Sequence, residues 1–392
     1  MRLAYVCADP GVPLFGRKGC SVHAQEVLRG LLRRGVRVEL FAARLGGEAP
    51  PGLSGLPVHR LPAPPKGDAA ALERAALAAN GDLARALSGA GRFDAVYERY
   101  SLWSTAAMAH AGAAGVPGLL EVNAPLIEEQ ARHRELVDRD GAERAAARAF
   151  DDATALIAVS EGVASYLDRW PVARGKVHVV PNGVDPARFR PDLPPSRPRA
   201  DGAFVVGFVG TLKPWHGLTT LVEAFALLRR EVPGARLLIV GEGPERARLE
   251  ADLAGRGLSQ AVDWTGGVDP SEVPALLASM DVAVAPYPRL DDFYFSPLKL
   301  YEYMAAGLPV VASRIGQVGA AVRDGVDGLL VPSGDAAGLA ARLSQLAADP
   351  AWRRRLGAAA RAAVVRRHSW DAVVDRLLEL ARPVGARSAL VS

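Results

Sequence analysis

Ser296, Pro297, Leu298, Lys299 and Glu302 stand together in YFSPLKLYEYMAAGLPVVAS (residues 294–313), a segment that otherwise reads as a short apolar helix running into a buried strand. The first amides of a helix have no intrahelical partner and carry partial positive charge, so they attract anions. Ser is a strong N-cap residue and Pro suits the first helical position, so Ser296 and Pro297 predict where the helix opens. Lys299 and Glu302 are three apart and share a face. A lysine there can neutralise a diphosphate, and a carboxylate one turn on can accept hydrogen bonds from a vicinal diol such as ribose. The same residues would also make an ordinary capped helix with a surface Lys–Glu pair, worth about 0.2–0.5 kcal/mol.

Other turns offer similar chemistry. In GFVGTLKPWHG (207–217) an apolar strand ends at Gly210, and Thr211, Lys213 and His216 lead to Gly217 and a helix. Glycine lets a backbone approach an anion closely, and Lys213 and His216 add positive charge. In LLIVGEGPE (237–245), Gly241 and Gly243 close a strand ahead of a helix carrying Arg246, which suits a nucleobase, a phosphate or a plain tight turn. Near the N-terminus, PGVPLFGRKGCSVH places Gly16 and Gly19, with Arg17 and Lys18, before a helix expected to begin near Ser21. It lacks the G-x-G-x-x-G spacing of a dinucleotide fingerprint, which argues against a nicotinamide or flavin enzyme. Glu98 and Arg99 close AVYERY, and Glu121 and Asn123 close LLEVN. Strand carboxyl ends are where functional residues gather in open α/β sheets; capping and structural hydrogen bonds are the competing explanation. Asp291 and Asp292 are adjacent without metal-ligand spacing, and no histidine pair has it either, so no metal is expected.

These turns need a scaffold of alternating strands and helices, and the chain has that rhythm. RLAYVC, VRVELFAA, AVYERY, PGLLEVN and ALIAVS read as buried strands separated by Ala-rich helical sequence. The rhythm pauses in VVPNGVDPARFRPDLPPSRPRADG, rich in Pro, Gly and Asp, and restarts with FVVGFVG, LLIVG, VDWTGG, VAVAPYP, VVAS and GLLVPSG. The expected architecture is α/β: two Rossmann-like, doubly wound parallel-sheet domains facing a central cleft, residues 1–185 and 186–365. Residues 366–392 are expected to return as a helix to the first domain. Residues 44–70 and 124–150 are expected to be first-domain loops that hold an acceptor.

Bulk composition sets the remaining bounds. Of 392 residues, 49% are hydrophobic, enough for two cores, and mean hydropathy is +0.09. The net charge is +4, but bases and acids interleave and no basic block carries aromatics, so nucleic acid is not an expected partner. Cys7 and Cys20 form no C-x-x-C pair. Asp9 and Pro10 come too early for a signal-peptide core, and no apolar run approaches ~20 residues. A cytoplasmic protein is therefore expected, with peripheral contact to an inner-membrane surface left open, as monomer or homodimer.

The combination of VVPNGVD at a domain junction, the turn at 210–217, VGEGP, EYMAAGLPVVAS and GVDGLLV resembles the family-4 group of retaining glycosyltransferases with the GT-B fold. The resemblance is strongest over residues 153–347. It implies a UDP- or GDP-sugar donor bound mostly by the second domain, as substrate rather than cofactor, and a sugar, lipid or small-molecule acceptor. It implies that Glu302, the second glutamate of an E-x7-E signature, holds the ribose. It places Gly210, Thr211, Lys213, His216, Lys299 and the amides around Ser296, Pro297 and Leu298 along the diphosphate. Gly241 and Gly243 fall by the base, and Gly19 approaches the diphosphate from the first domain. The first signature glutamate is replaced by Tyr294, and Thr211 and His216 stand where relatives carry Arg and Lys.

Lys299 and Lys213 are thus the expected stabilisers of the leaving diphosphate. Glu121 and Asn123 occupy the strand end where relatives place a histidine, and both are candidates for catalysis. The expected chemistry is metal-independent transfer to a hydroxyl by same-face attack. The replacement at Tyr294 leaves two other readings, a non-catalytic sugar-nucleotide sensor or scaffold and a GT-B sugar-nucleotide epimerase.

Overall fold

A computed structural model describes residues 1–63, 67–197 and 202–382. The described residues divide into two units, one of Met1–Asn182 with the segment 370–382, the other Gly183–Ser369.

In the first unit seven strands form one parallel sheet: β1 (Arg2–Cys7), β2 (Arg37–Ala42), β3 (Val58–Arg60), β4 (Ala95–Arg99), β5 (Gly118–Val122), β6 (Ala155–Ala158) and β7 (Val177–Val179). Their spatial order is β3-β2-β1-β4-β5-β6-β7. The five long apolar runs are the inner strands; sequence reading missed the two three-residue edges, VHR and VHV. The order in which strands are added reverses between β1 and β4, and such a switch point is where an open parallel sheet leaves room for a ligand beyond its strand ends. Residues 124–150, expected as a loop, instead form the helices Leu126–His133 and Arg139–Asp152. The second is capped by the Asp138 carboxylate, which accepts from the Gly141 amide.

The helix Trp370–Leu380 packs on the first helix, Gly19–Arg33. Gly30 supplies the room, since a Cβ there would come within 2.5 Å of Val374 Cγ2. Arg34 forks onto Asp375 through Nε and Nη2 at 2.6 and 2.8 Å, and Arg33 reaches Asp371 at 2.8 Å.

In the second unit six parallel strands lie in the order β10-β9-β8-β11-β12-β13: β8 (Phe204–Val209), β9 (Ala235–Val240), β10 (Val262–Gly266), β11 (Val282–Ala285), β12 (Val310–Ser313) and β13 (Leu329–Val331). All six follow the sequence reading, because strands buried on both faces are continuous apolar runs. The switch point falls between β8 and β11. Part of the Pro-rich stretch belongs to this unit rather than spanning as a free linker. Phe189 is buried, and Arg361 donates to the carbonyls of Phe189 (2.7 Å), Pro186 (3.2 Å) and Ala305.

Candidate active site

The helix that opens after Phe295 runs from Leu298 to Ala305, with Pro297 in the cap position and no side-chain cap. This corrects the sequence reading at two residues. Ser296 is not the N-cap, and Pro297 precedes the first helical position instead of filling it. The physical reason is that Ser296 is buried and its hydroxyl faces Tyr301, so it cannot turn toward the helix amides. The amino end at Leu298 and Lys299 is left without a side-chain acceptor. Leu300, Tyr301, Tyr303 and Met304 turn into the core. The Tyr303 hydroxyl accepts from the Val209 amide (2.7 Å) and donates to the Val209 carbonyl (3.2 Å), which pins the helix to the end of β8.

That anchoring carries Lys299 over the switch point. Its stem is half-buried, but Nζ has essentially no accessible surface and no hydrogen-bond partner. The amine lies 4.3 Å from the Phe208 ring centroid and 5.9 Å from that of Tyr287. It also occupies the space a Cβ on Gly210 would need, 2.7 Å away. Gly210 has φ +145 and so sits in backbone space that a side chain would strain. Burial lowers the lysine's pKa from 10.5 to about 7, against the opposing pull of Glu302. An ammonium over two aromatic faces gains cation–π attraction but no donor–acceptor bond, so its N–H groups are left without an acceptor.

His216 adds a second nitrogen group. Its Nδ1 donates to the Thr211 carbonyl at 2.5 Å, and its ring packs against Phe208 and Tyr287 at centroid distances of 6.0 Å. Burial, then the Lys299 charge, lowers its pKa to about 3, so the ring is neutral near pH 7. Thr211 is exposed. The Lys213 amine lies 5.5 Å from the Trp215 ring centroid instead of beside Lys299. Glu302 is half-buried one turn beyond Lys299.

Gly241 and Gly243 have a local explanation. The β9 turn is zipped to the β8 turn: Gly210 donates to Val240, Leu212 to Glu242, and Glu245 to Leu212. A Cβ on Gly243 would lie 2.5 Å from the Leu212 nitrogen and oxygen, and one on Gly241 would overlap the Gly210 carbonyl. Both glycines therefore permit two turns to touch backbone to backbone. Arg246, a candidate for a base or phosphate, stacks over Trp264 at 4.4 Å and pairs with Glu250 at 2.6 Å.

In the first unit Glu121, Arg99 and Tyr97 share one face of the sheet. Arg99 and Glu121 are direct partners in the β4–β5 register. The Glu121 carboxylate accepts from Arg99 Nη1 (3.0 Å), Asn123 Nδ2 (2.5 Å) and the Tyr97 hydroxyl, and His23 Nε2 lies 3.4 Å away. Burial alone would raise its pKa, but the Arg99 charge and these hydrogen bonds hold it below the usual carboxylate range. Glu121 is thus an anion with its lone pairs occupied, not a carboxylate standing free. Burial holds His23 neutral, its pKa lowered to about 4. Sequence reasoning missed His23: it stands four residues beyond Gly19 in the helix Gly19–Arg33, and nothing in its spacing joins it to Arg99. The helix itself begins at Gly19, two residues ahead of Ser21, whose hydroxyl donates to the Pro13 carbonyl at 2.6 Å. Among the described residues, no cluster of three or more His, Cys, Asp or Glu has metal-ligand geometry.

Two family models match the chain. One described as Glycosyl transferases group 1 covers residues 203–349, and one described as Glycosyltransferase Family 4 covers residues 17–188. A D-inositol 3-phosphate glycosyltransferase from Stackebrandtia nassauensis is 32% identical over 390 residues, spanning 92% of this chain and 85% of the relative. The chain is a family-4 glycosyltransferase.

The glycosyltransferase also shares its fold with solved structures. Sucrose-phosphate synthase from Thermosynechococcus elongatus superposes with a TM-score of 0.72 at 24% identity, covering 98% of this chain and 99% of that one. Anabaena HepE in complex with UDP gives 0.73 at 19% identity, covering 97% and 99%. The two parallel sheets of the glycosyltransferase are accordingly those of the GT-B fold. No described helix is long and apolar enough to cross a membrane.

Proposed function

We propose that this glycosyltransferase moves a sugar from a UDP- or GDP-sugar to an acceptor hydroxyl with retention at the anomeric carbon. The reading rests on one observation: Lys299 Nζ is held at the second unit's switch point, buried and without a hydrogen-bond acceptor, beside the open amino end of its own helix. A buried ammonium in that state is costly unless an anion completes its shell. A nucleoside diphosphate supplies such an anion, and Glu302, one turn along, is placed to accept from ribose hydroxyls. HepE structures with UDP and UDP-glucose, of the same fold, support a nucleotide-sugar donor.

In the proposed step the bond from sugar C1 to the diphosphate oxygen breaks, and its electron pair goes to that oxygen. The acceptor oxygen bonds C1 from the same face, and its proton passes to the departing phosphate. Lys299 and the helix amides meet charge as it develops, which is commonly the largest catalytic contribution; removing one such donor costs about 3 kcal/mol. Lys213 and His216 line the same turn, His216 as a neutral group. Glu121 serves to orient Arg99, His23 and Asn123 rather than as a nucleophile.

The test is hydrolysis and transfer across a panel of nucleotide sugars. Lys299→Ala and Glu302→Ala should each lose most activity while unfolding at temperatures near wild type. Near-wild-type turnover by both variants would sink the assignment.

A further inference from the structure

Arg99 ends β4 beside β1, at the switch point of the first sheet, where a parallel sheet opens space for a ligand. It is only 9% exposed. Its Nη1 is committed on both hydrogens, to Glu121 Oε1 and to His23 Nδ1, each at 3.0 Å. Its Nε and Nη2 donate to nothing among the described residues, and they are absent from the sealed polar atoms, so they reach accessible space. That pair of nitrogens is the side edge of the guanidinium, whose two parallel N–H groups match the spacing of oxygens on a phosphate or carboxylate.

A purely structural ion pair would use that edge on its carboxylate. Here Glu121 takes a single bond from Arg99 and fills its remaining capacity with Tyr97 and Asn123. His23 accepts from Arg99 and turns its other nitrogen toward Glu121, so both neighbours fix the guanidinium without using its outer edge. The helix carrying His23 opens at Gly19, and its cap residue, Lys18, gives no side-chain hydrogen bond. The outer edge of Arg99 is therefore a pair of donors without acceptors among the described residues.

We propose that the outer edge of Arg99 receives an anionic group, phosphate or carboxylate, carried by the acceptor substrate. This rests on reading the protein as a nucleotide-sugar transferase whose first unit holds the acceptor. The donor's own diphosphate is the other source of the same chemistry, and the test separates the two.

Inorganic phosphate is titrated calorimetrically into the full chain, alone and with UDP at saturation, and UDP is titrated separately. Phosphate should bind in both conditions. Arg99→Lys keeps a charge against Glu121 but loses the fork, and should weaken phosphate by about tenfold while leaving UDP affinity unchanged. Complete loss of phosphate binding under saturating UDP, or a matching loss of UDP affinity in Arg99→Lys, would assign the edge to the donor and overturn the proposal. So would failure of phosphate to bind at all. If Arg99→Lys does not fold, the double variant Arg99→Gln with Glu121→Gln removes both charges together; phosphate binding retained in it also overturns the proposal. Failure of UDP to bind, with phosphate behaving as described, counts against the donor assignment and not against Arg99.

Discussion

Lys299 Nζ lies 4.3 Å from the centre of the Phe208 ring, and no oxygen accepts its hydrogens. A strand-end aromatic and a helix-start lysine thus meet at the carboxyl end of the second sheet's central strands. Phe208 holds the amine in place without satisfying it, which suits a group that must bond a transient ligand.

The first prediction concerns rate against pH. Donor capture needs Lys299 protonated, and in the free enzyme burial puts its pKa at about 7. kcat/KM for the donor should therefore fall as pH rises through about 7, since that ratio reports the free enzyme. Bound diphosphate raises the lysine's pKa, so kcat should show no matching limb there. Profiles in which kcat/KM stays flat from pH 6 to 9 would remove Lys299 from donor capture.

Stability should carry the same signature. The amine's folded value, about 7, lies below its unfolded value of 10.5. Between these values the unfolded chain holds the extra proton, so stability rises with pH across that window and the cost of burying the charge is full below it. Glu98, whose pKa burial raises to about 7, acts with opposite sign between 4.5 and 7, outside the window. Urea midpoints measured from pH 7 to 10 should climb in wild type and climb less in Lys299→Met. Equal slopes would show that the amine is solvated.

Glu121→Ala should destabilise the first unit by about 3–5 kcal/mol, because it strands the Arg99 charge in a buried place. Glu121→Gln keeps the shape and an acceptor oxygen and should cost less. Denaturant melts of both variants decide this, and an alanine variant as stable as wild type would contradict the buried network.

The close approach of Gly217 to Pro286 makes a steric prediction. Gly217 has φ +67, and a Cβ there would overlap the Pro286 carbonyl, whereas Gly35 has φ +70 and open space around it. Gly217→Ala should cost about 2–5 kcal/mol, the sum of backbone strain and overpacking. Gly35→Ala should cost only the strain, about 1–2 kcal/mol. Comparing their thermal midpoints checks the assignment of Gly217 to close packing; equal losses would refute it.

Much of the scaffold was legible in the sequence. The long inner strands are dominated by apolar residues because helices cover both faces of a parallel sheet. VHR and VHV escaped notice because a three-residue edge strand exposed on one side carries no such run. The motifs around Gly210, Lys299 and Glu302 were also visible, since turns and helix starts are local.

Geometry around those motifs was not. Ser296 reads as a cap, yet burial beside Tyr301 takes its hydroxyl away from the helix end. Gly241 and Gly243 read as ligand glycines, yet each is required by contact between two turns.

By itself the sequence determined two parallel α/β sheets, their strand-end turns and the family, because periodicity and turn chemistry act over a few residues. Only the tertiary structure decided which charges are buried and with whom. Lys299 reads as half of a surface pair until Tyr303 pins its helix to β8 and carries the amine over Phe208. His23, Arg99 and Glu121 are separated by 76 and 22 residues in the chain and meet only when β4 registers with β5 and the first helix covers them. Burial and pairing depend on contacts distant in sequence, so the electrostatics of both sites emerge only on folding.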